Sequence, residues 1–569
     1  MISVFRLPDW VYHLLTTSVW FIVPWSWFYC IYYLLFNKLF DTLPIIPFYL
    51  KPHPILFSYA LLELSFSIYY FYQSELAQRR LQAFSHPPHL LNTCLERVSK
   101  SGLNRSTPDE SLKAVDWALS KFQDFNLSFP SSLTPSSSSP SSSDQSSSSF
   151  SVHSIDNQNL PYKSDVLLEE PLSFEDPRAV DLRAHQVIWF GNCEWDEIWH
   201  DNMLEWLAWT VSGMHLHELD TTTEGQTILK ALQPTLKVFE NRAGSRFPLG
   251  YNPQLRNKVM RLTLDPIKVT AHPLALYAFT NITSWSVKQL MISRGFVEAQ
   301  CVNRSNGLLY LIRKPPGWDE LPVETRTLPF VFIHGLGIGL VQYTRFLNYL
   351  SNSTWARSRP IMILLQPSIS LSFFDSRHLQ SPSKPEMMLD MTEALRQQNF
   401  DQTGFELLGH SNGTMIAAWL INSMPNLIKR VCLIDPVCFC LWEGNVCHNF
   451  LYAEPRPGFE RLLRYFVATE LGIAKYLHRH FDWAANILWV DEIPNFQDPK
   501  KCKVFLAGKD VILNPMRIRR YLTESGMAEN QYVNDTKGGL TVVWDDAHGQ
   551  IMVEDGPAFK ELINWLESD

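Results

Sequence analysis

The stretch Phe405-Glu406-Leu407-Leu408-Gly409-His410-Ser411-Asn412-Gly413-Thr414-Met415 reads as a short apolar strand, a sharp turn and the start of a helix, with a serine at the apex. Glycines flank that serine because such a turn brings backbone atoms too close to tolerate side chains. The same turn strains the apical residue into a conformation that exposes its hydroxyl. A serine held this way is a candidate nucleophile. The Gly-x-Ser-x-Gly pattern recurs by chance in long chains, so its meaning depends on the residues around it.

Upstream, the apolar run 328–333 opens into His334, Gly335, Leu336, Gly337, Ile338 and Gly339. A buried strand ending in such a loop can present bare backbone N–H groups, which acyl transfer needs to stabilise the oxyanion of a tetrahedral intermediate. The N–H groups of Leu336 and of Asn412, the residue after the serine, are the expected donors. A phosphate-cradling loop is the alternative, but neither a Gly-Lys-Ser/Thr ending nor Gly-x-Gly-x-x-Gly spacing is present, and no cofactor is expected. Downstream, the strand-like run 502–506 leads to Asp510, and the run 540–544 leads to His548. A serine hydroxyl is a poor nucleophile at neutral pH, so a histidine must take its proton and a carboxylate must hold the imidazole in the right tautomer. Ser411, Asp510 and His548 supply these parts in chain order.

The combination resembles the α/β-hydrolase superfamily over about residues 300–569: an oxyanion loop at 334–337, a nucleophile elbow at 409–413, and an acid and a histidine after late strands. The resemblance implies an α/β fold with a mostly parallel sheet, helices on both faces and a helical cap. It also implies Ser411 as nucleophile, His548 as general base and acid, and Asp510 as orienting carboxylate. A serine at the apex argues against the branch with an aspartate nucleophile. Asp435 also ends a strand-like run, 431–434, and is the alternative acid, although Pro436 and Val437 after it suit a structural turn. His334 and His410 are read as shaping their loops, and Asp545 and Asp546 as solvating theirs.

The rhythm of the region agrees. Strand candidates at 308–312, 329–333, 361–365, 405–408, 430–434, 502–506 and 540–544 alternate with helical patterns at 341–350, 386–395, 415–421 and 557–566, as expected for a parallel sheet covered on both faces. Between Asp435 and Cys502 the chain detours through the amphipathic stretch 459–476 and the aromatic run 480–489, read as a cap at about 436–500 that suits an apolar substrate.

A formal charge of −8 without a basic block gives no reason to expect nucleic-acid binding. Nine cysteines, none in zinc-ribbon spacing, suggest reduced thiols. Cys438, Cys440, Cys447 and His448 raise a metal hypothesis but lack a Cys-x-x-Cys pair, so no metal is expected.

From Trp10 to Asn37 there is no charged residue, which exceeds the ~20 residues a helix needs to cross a bilayer. Pro24 implies a kink, and Trp10, Trp25, Trp27, Tyr29, Tyr32 and Tyr33 are candidate interfacial anchors. A cleaved signal peptide fits less well, since the apolar region is too long and no small-residue cleavage site follows. A second apolar stretch, 54–72, carries Glu63 alone and is either a second span or an interfacial helix. Arg79 and Arg80 then favour a hairpin with the bulk of the chain in the cytosol. The sequons at Asn104, Asn126, Asn281, Asn303, Asn352 and Asn534 would be acceptors in the opposite orientation.

Further along, Thr107-Pro108-Asp109-Glu110 reads as a capping box opening a short helix, and 131–151 is serine-rich and unable to build a core, a tether that would let the catalytic part move relative to the anchor. The tryptophan-rich pattern 194–214 and those at 223–241 and 284–294 read as helices of a subdomain packed on the sheet. The expected organisation is 1–80 anchor with one or two spans, 81–130 short helical segment, 131–160 linker, 161–300 helical subdomain and 301–569 catalytic domain. The expected activity is hydrolysis of carboxylic esters of lipid or other apolar substrates by a membrane-anchored serine hydrolase. The alternatives are an acyltransferase with the same triad and a non-catalytic scaffold. Oligomeric state is not legible.

Overall fold

The strands are β1 (Val297–Gln300), β2 (Leu309–Arg313), β3 (Phe330–Ile333), β4 (Ile361–Leu365), β5 (Phe405–His410), β6 (Ile428–Ile434), β7 (Cys502–Ala507) and β8 (Leu540–Val543). They form one sheet in the order β1-β2-β4-β3-β5-β6-β7-β8. β2 runs antiparallel to both neighbours, and the pairs from β4 to β8 are all parallel. The computed structural model that carries this sheet describes residues 5, 7–42, 53–81, 93–98, 171–301, 306–535 and 537–568. The capping box at 107–110, the serine-rich stretch 131–151 and the sequons at Asn104, Asn126 and Asn303 lie outside the described residues.

Every residue of β3 and β5 is buried, as a parallel strand covered on both faces requires. The charged exception, Glu406, sits between Arg359 (3.2 Å) and Arg430 (3.0 Å), and burial pushes its carboxyl up to about 7 against the pull of those two cations. This strand order, with helices on both faces, is the α/β-hydrolase fold. Its parallel strands deliver the loops after β3, β5, β7 and β8 to one edge, at their carboxyl ends, where ligands of open α/β sheets bind.

The longer helices, in chain order, are α1 (Asp9–Thr42), α2 (Pro54–Ala77), α3 (His200–Ser212), α4 (Thr223–Ala243), α5 (Leu274–Ser293), α6 (Thr344–Asn352), α7 (Lys384–Gln397), α8 (Gly413–Ser423), α9 (Leu471–Arg479), α10 (Pro515–Glu524) and α11 (Pro557–Glu567). Three differ from the sequence reading. The 194–214 pattern becomes a helix only from His200, because the Glu197 carboxylate turns back to accept the N–H of Glu194 and closes a separate turn. The 459–476 stretch is not one helix: Glu470 interrupts it by accepting the N–H of Ile473 and capping a new helix, α9. α5 begins ten residues before the expected 284. β1 was absent from the sequence reading, since Val-Glu-Ala-Gln at an exposed edge carries almost no apolar signal.

α1 and α2 are long and apolar enough to cross a membrane, and most of each is exposed. α1 continues as a helix through Pro24. The two pair antiparallel, with Trp27 Nε1 donating to Ser67 Oγ at 2.8 Å and Tyr33 stacked on Phe57. The hairpin is not a separate unit on a tether. The segment before α5 runs antiparallel along α2: Gln78 Nε2 donates to the Ile267 carbonyl, Tyr70 Oη to that of Thr270, and the buried Glu63 carboxylate accepts the N–H groups of Leu274 (2.7 Å) and Ala275 (2.9 Å). Glu63 therefore caps α5, where the positive end of the helix dipole and two orphan donors offset the cost of a carboxylate in an apolar helix.

Glu63→Ala strands those donors and is expected to cost about 2 kcal/mol, read as a lower thermal midpoint of the full chain in detergent. Glu63→Gln, which keeps an acceptor oxygen, should cost less. Unchanged midpoints in both variants would mean the clamp contributes nothing.

Candidate active site

Ser411 has φ = 51°, a left-handed conformation that costs a non-glycine residue, and it is held there by the crowding of β5 and α8 against β3. A Cβ on Gly413 would fall 2.4 Å from the Ile333 carbonyl oxygen, and one on Gly409 3.1 Å from Ala417 Cβ. Gly335 is equally constrained, since its Cβ would meet that of Ser411 at 2.8 Å. The loop after β3 thus lies directly against the apical serine.

His548 follows β8 and Asp510 follows β7. His548 Nε2 lies 2.8 Å from Ser411 Oγ and His548 Nδ1 2.6 Å from Asp510 Oδ2, all three residues being buried. With Nδ1–H donated to the carboxylate, the Nε2 lone pair faces the serine hydroxyl. Asp510 Oδ1 accepts the N–H groups of Ile512 (2.7 Å) and Leu513 (2.9 Å), which fixes the carboxylate's orientation. Burial alone would lower the His548 pKa, but the Asp510 carboxylate, with Asp435 behind it, raises it to about 8.

Asp435 reaches the same cluster with both oxygens committed to backbone: Oδ1 accepts the N–H of Ala507 at 2.8 Å and Oδ2 that of Gly549 at 2.7 Å. It ties the end of β7 to the histidine loop. Full burial, aided by the nearby Asp510 charge, pushes its pKa up to about 7. Its φ of 45° marks a second strained position at the same edge.

The N–H groups of Leu336 and Asn412 donate to no acceptor among the described residues, whereas their neighbours are engaged. Gly335 N donates to Tyr343 Oη at 2.8 Å, Gly337 N to the Ile369 carbonyl at 3.1 Å, and Gln366 Nε2 to the His334 carbonyl at 2.9 Å. Tyr343 Oη also lies 2.6 Å from His410 Nδ1, so a phenol pins the loop after β3 to the elbow. Burial lowers the pKa of His334 to about 4 and that of His410 well below its usual value, leaving both rings neutral. Asp545 is exposed and pairs with Lys509.

The cap supplies Tyr476, on α9, whose hydroxyl accepts from Asn412 Nδ2 at 3.2 Å. Tyr476 also lines a cavity whose wall is apolar at Leu309, Ile369, Met387, Ile416 and Trp419 and polar at Gln366, Arg377, Gln380 and Asp390. Tyr343 and Tyr476 were not singled out as site residues from sequence. Nothing in their local pattern marks them, because they join the site across 67 and 64 residues of chain.

Among the described residues, the His/Cys/Asp/Glu atoms that converge within 4.8 Å of one another are those of Asp435, Asp510 and His548. The hydrogen bonds above already occupy them. Cys438, Cys440 and Cys447 are buried without forming such a group, and His448 Nε2 lies 2.9 Å from Asn192 Nδ2.

No family model matches the chain, and no curated protein matches it. Solved structures similar to it include a membrane phospholipase A described as a novel bacterial virulence factor (14% identity, TM-score 0.31, covering 52% of this chain and 95% of that one). Others are naproxen esterase from Bacillus subtilis (10%, 0.31, 50% and 96%) and the 2-hydroxy-6-oxo-6-phenylhexa-2,4-dienoate hydrolase of Rhodococcus sp. strain RHA1 (13%, 0.32, 48% and 99%). The fold assignment stands on the strand order.

Gly413→Ala forces the elbow away from the Ile333 carbonyl and is expected to cost about 3 kcal/mol, with a matching fall in thermal midpoint. Gly556→Ala, where a Cβ meets nothing within 4 Å, should leave the midpoint unchanged. Equal midpoints for the two would show that the elbow tolerates a side chain.

Proposed function

We propose that the chain is a membrane-anchored serine hydrolase that cleaves carboxylic esters of lipid or other apolar substrates. The observation that carries this reading is the continuous hydrogen-bonded chain Ser411–His548–Asp510, buried beside two unengaged backbone N–H groups.

The steps follow from the geometry. Ser411 Oγ attacks the ester carbonyl carbon as its proton passes to His548 Nε2. The carbonyl oxygen becomes an oxyanion that accepts from Leu336 N, whose neighbours are held by Tyr343 and Ile369, and from Asn412 N, whose neighbour Ser411 is held by the Ile434 carbonyl. The imidazolium, stabilised by Asp510, then protonates the leaving alkoxide and an acyl-enzyme remains. Water enters, loses a proton to His548, attacks the acyl carbon and releases the acid with regeneration of Ser411. Asp510 is favoured over Asp435 as the orienting acid because it, not Asp435, is bonded to His548 Nδ1. Tyr476, hydrogen-bonded to the side chain of the oxyanion donor Asn412, also lines a cavity whose apolar wall, Leu309, Ile369, Met387, Ile416 and Trp419, suits an acyl chain.

The membrane part of the reading rests on α1 and α2, whose exposed faces are apolar along their length. Their antiparallel pairing makes a hairpin with both ends on one side. Arg79 and Arg80, which follow α2 on the side of the catalytic domain, favour the cytosol for that side.

Labelling of the full chain with a serine-directed fluorophosphonate is expected to be lost in Ser411→Ala, and equal labelling of both proteins would overturn the assignment. Turnover of esters by the wild type is the second arm. A labelled, folded enzyme that hydrolyses no ester but transfers acyl groups to an alcohol would replace hydrolase by acyltransferase.

The pH dependence has a definite sign. A base must be neutral to accept a proton, so acylation should rise with pH through about 8, the His548 value, and fall on its acid side. Asp510→Asn removes the carboxylate that raises that value. It should shift the rising limb to lower pH and reduce kcat by about 10⁴-fold. Asp435→Asn should shift the limb in the same direction with a much smaller loss of kcat. The reverse ranking would transfer the acid's role to Asp435.

A further inference from the structure

α5 is unlike a helix on the surface of a water-soluble domain. Its inward face carries Tyr277, Thr280, Ser284 and Met291, with the Thr280 hydroxyl within reach of the Tyr277 and Leu371 carbonyls and the Ser284 hydroxyl buried. The outward face carries Phe279, Ile282 and Trp285, which are 66%, 63% and 59% exposed. From Leu274 to Val287 no residue is charged, and Lys288 is the first. An ordinary amphipathic helix turns its apolar residues to the core and its polar ones to water, and here large apolar side chains face outward as well over the first three to four turns. An exposed apolar stripe of this kind marks a surface that water does not cover.

What covers it follows from its neighbours. Glu63, the tenth residue of the 24-residue α2, caps the start of α5, whereas Gln78 at the end of α2 meets Ile267. Fifteen residues of helix separate those two contacts, about 22 Å along the axis of α2. α5 therefore starts level with the middle of the apolar helix rather than at its end. Phe373 fills the angle between them, with its ring 4.9 Å from Phe66 of α2 and 4.7 Å from Tyr277 of α5. The next residue, Phe374, is 59% exposed. The outward apolar surface thus continues from Tyr69 of α2, whose ring lies 6.1 Å from that of Phe373, across Phe373 and Phe374 to α5, and is bounded by the polar group Lys288, Asp375 and Arg377. Asn281, the sequon residue on α5, has its side-chain amide engaged by the Tyr277 and Leu371 carbonyls, which disfavours it as a glycan acceptor.

We propose that α5 and the Phe373–Phe374 turn are immersed in the lipid bilayer, so that the catalytic domain is seated in the membrane through its own surface as well as by the α1–α2 hairpin. The proposal rests on the membrane placement of that hairpin and extends it to the hydrolase domain. α5 also packs against the turn Gly339–Tyr343 that follows the oxyanion loop, which brings the bilayer surface to the vicinity of the active site.

The test uses the full chain in phosphatidylcholine nanodiscs with single added cysteines. The nine native cysteines are all buried, so surface labelling is selective. Nitroxides at Phe279→Cys, Ile282→Cys and Trp285→Cys are compared with Leu62→Cys on α2 and Lys560→Cys on α11, using collisions with oxygen, which concentrates in lipid, and with a nickel chelate, which stays in water. The expected result is loss of nickel collisions at 279, 282 and 285 to the level at 62, with oxygen collisions retained. Nickel access equal to that at 560 would overturn the proposal. So would shielding from both reagents, the signature of a protein partner or second copy on the face. Nickel access at 62 as well would overturn the hairpin reading together with this one. None of these readouts depends on Ser411 chemistry, so an inactive enzyme with a lipid-exposed α5 would refute the proposed activity and leave this inference standing.

Discussion

The close approach of β5 and α8 to the end of β3 is the constraint on which the rest of the active edge depends. It crowds a side chain at Gly409, leaves no room for one at Gly413 and Gly335, holds Ser411 at φ = 51°, and leaves the Asn412 N–H without an acceptor among the described residues. A strained residue persists only where its surroundings over-determine it. Here they do: Ser411 N is bonded to the Ile434 carbonyl of the next strand, and the Thr414 hydroxyl bonds back to the Ser411 carbonyl while accepting the N–H of Val437. The elbow is therefore a meeting of three strands and one helix, and the apical hydroxyl inherits its position from all of them.

The second condition is electrostatic. Two carboxylates lie beside one imidazole in a buried site, an arrangement that is costly unless their roles diverge. They diverge through hydrogen bonding. Asp510 accepts from two backbone N–H groups with one oxygen and offers the other to His548, whereas Asp435 spends both oxygens on backbone. Asp435 consequently acts on the imidazole at a distance, through its charge and through the position of Gly549, the residue after His548. Strain at Asp435, like that at Ser411, is absorbed by the strand ends it joins.

Much of this was legible from sequence because it is local. The elbow, the loop at 334–339 and the alternation of strands and helices are carried by short runs with fixed periodicity and by glycines whose function is to be absent as side chains. What escaped was of two kinds. Tyr343 and Tyr476 reach the site across the fold and leave no periodic trace. α5 was read ten residues too short because its apolar residues face outward, so the usual equation of apolar periodicity with a core face does not hold there. Glu63 belongs to the same class: a lone carboxylate in an apolar helix looks like a defect until its partner, 211 residues away, is in view.

That partner alters how the chain's parts relate. A serine-rich linker suggests an anchor and an enzyme that move independently, but α2 is bonded and packed to the α/β domain from Glu63 to Gln78. Tyr277 of α5, within the aromatic cluster that receives Phe66 and Tyr70 of α2, donates to Glu470 at 2.6 Å. Burial alone would raise the Glu470 pKa, but the His378 imidazole beside it, together with its hydrogen bonds, holds it down to about 2. As an ionised cap it starts α9, and α9 carries Tyr476 to Asn412. The path from α2 to the residue after the serine thus runs through packed rings and one buried carboxylate. Packing of this kind sets the direction in which the carboxyl-terminal edge of the sheet faces relative to the two apolar helices.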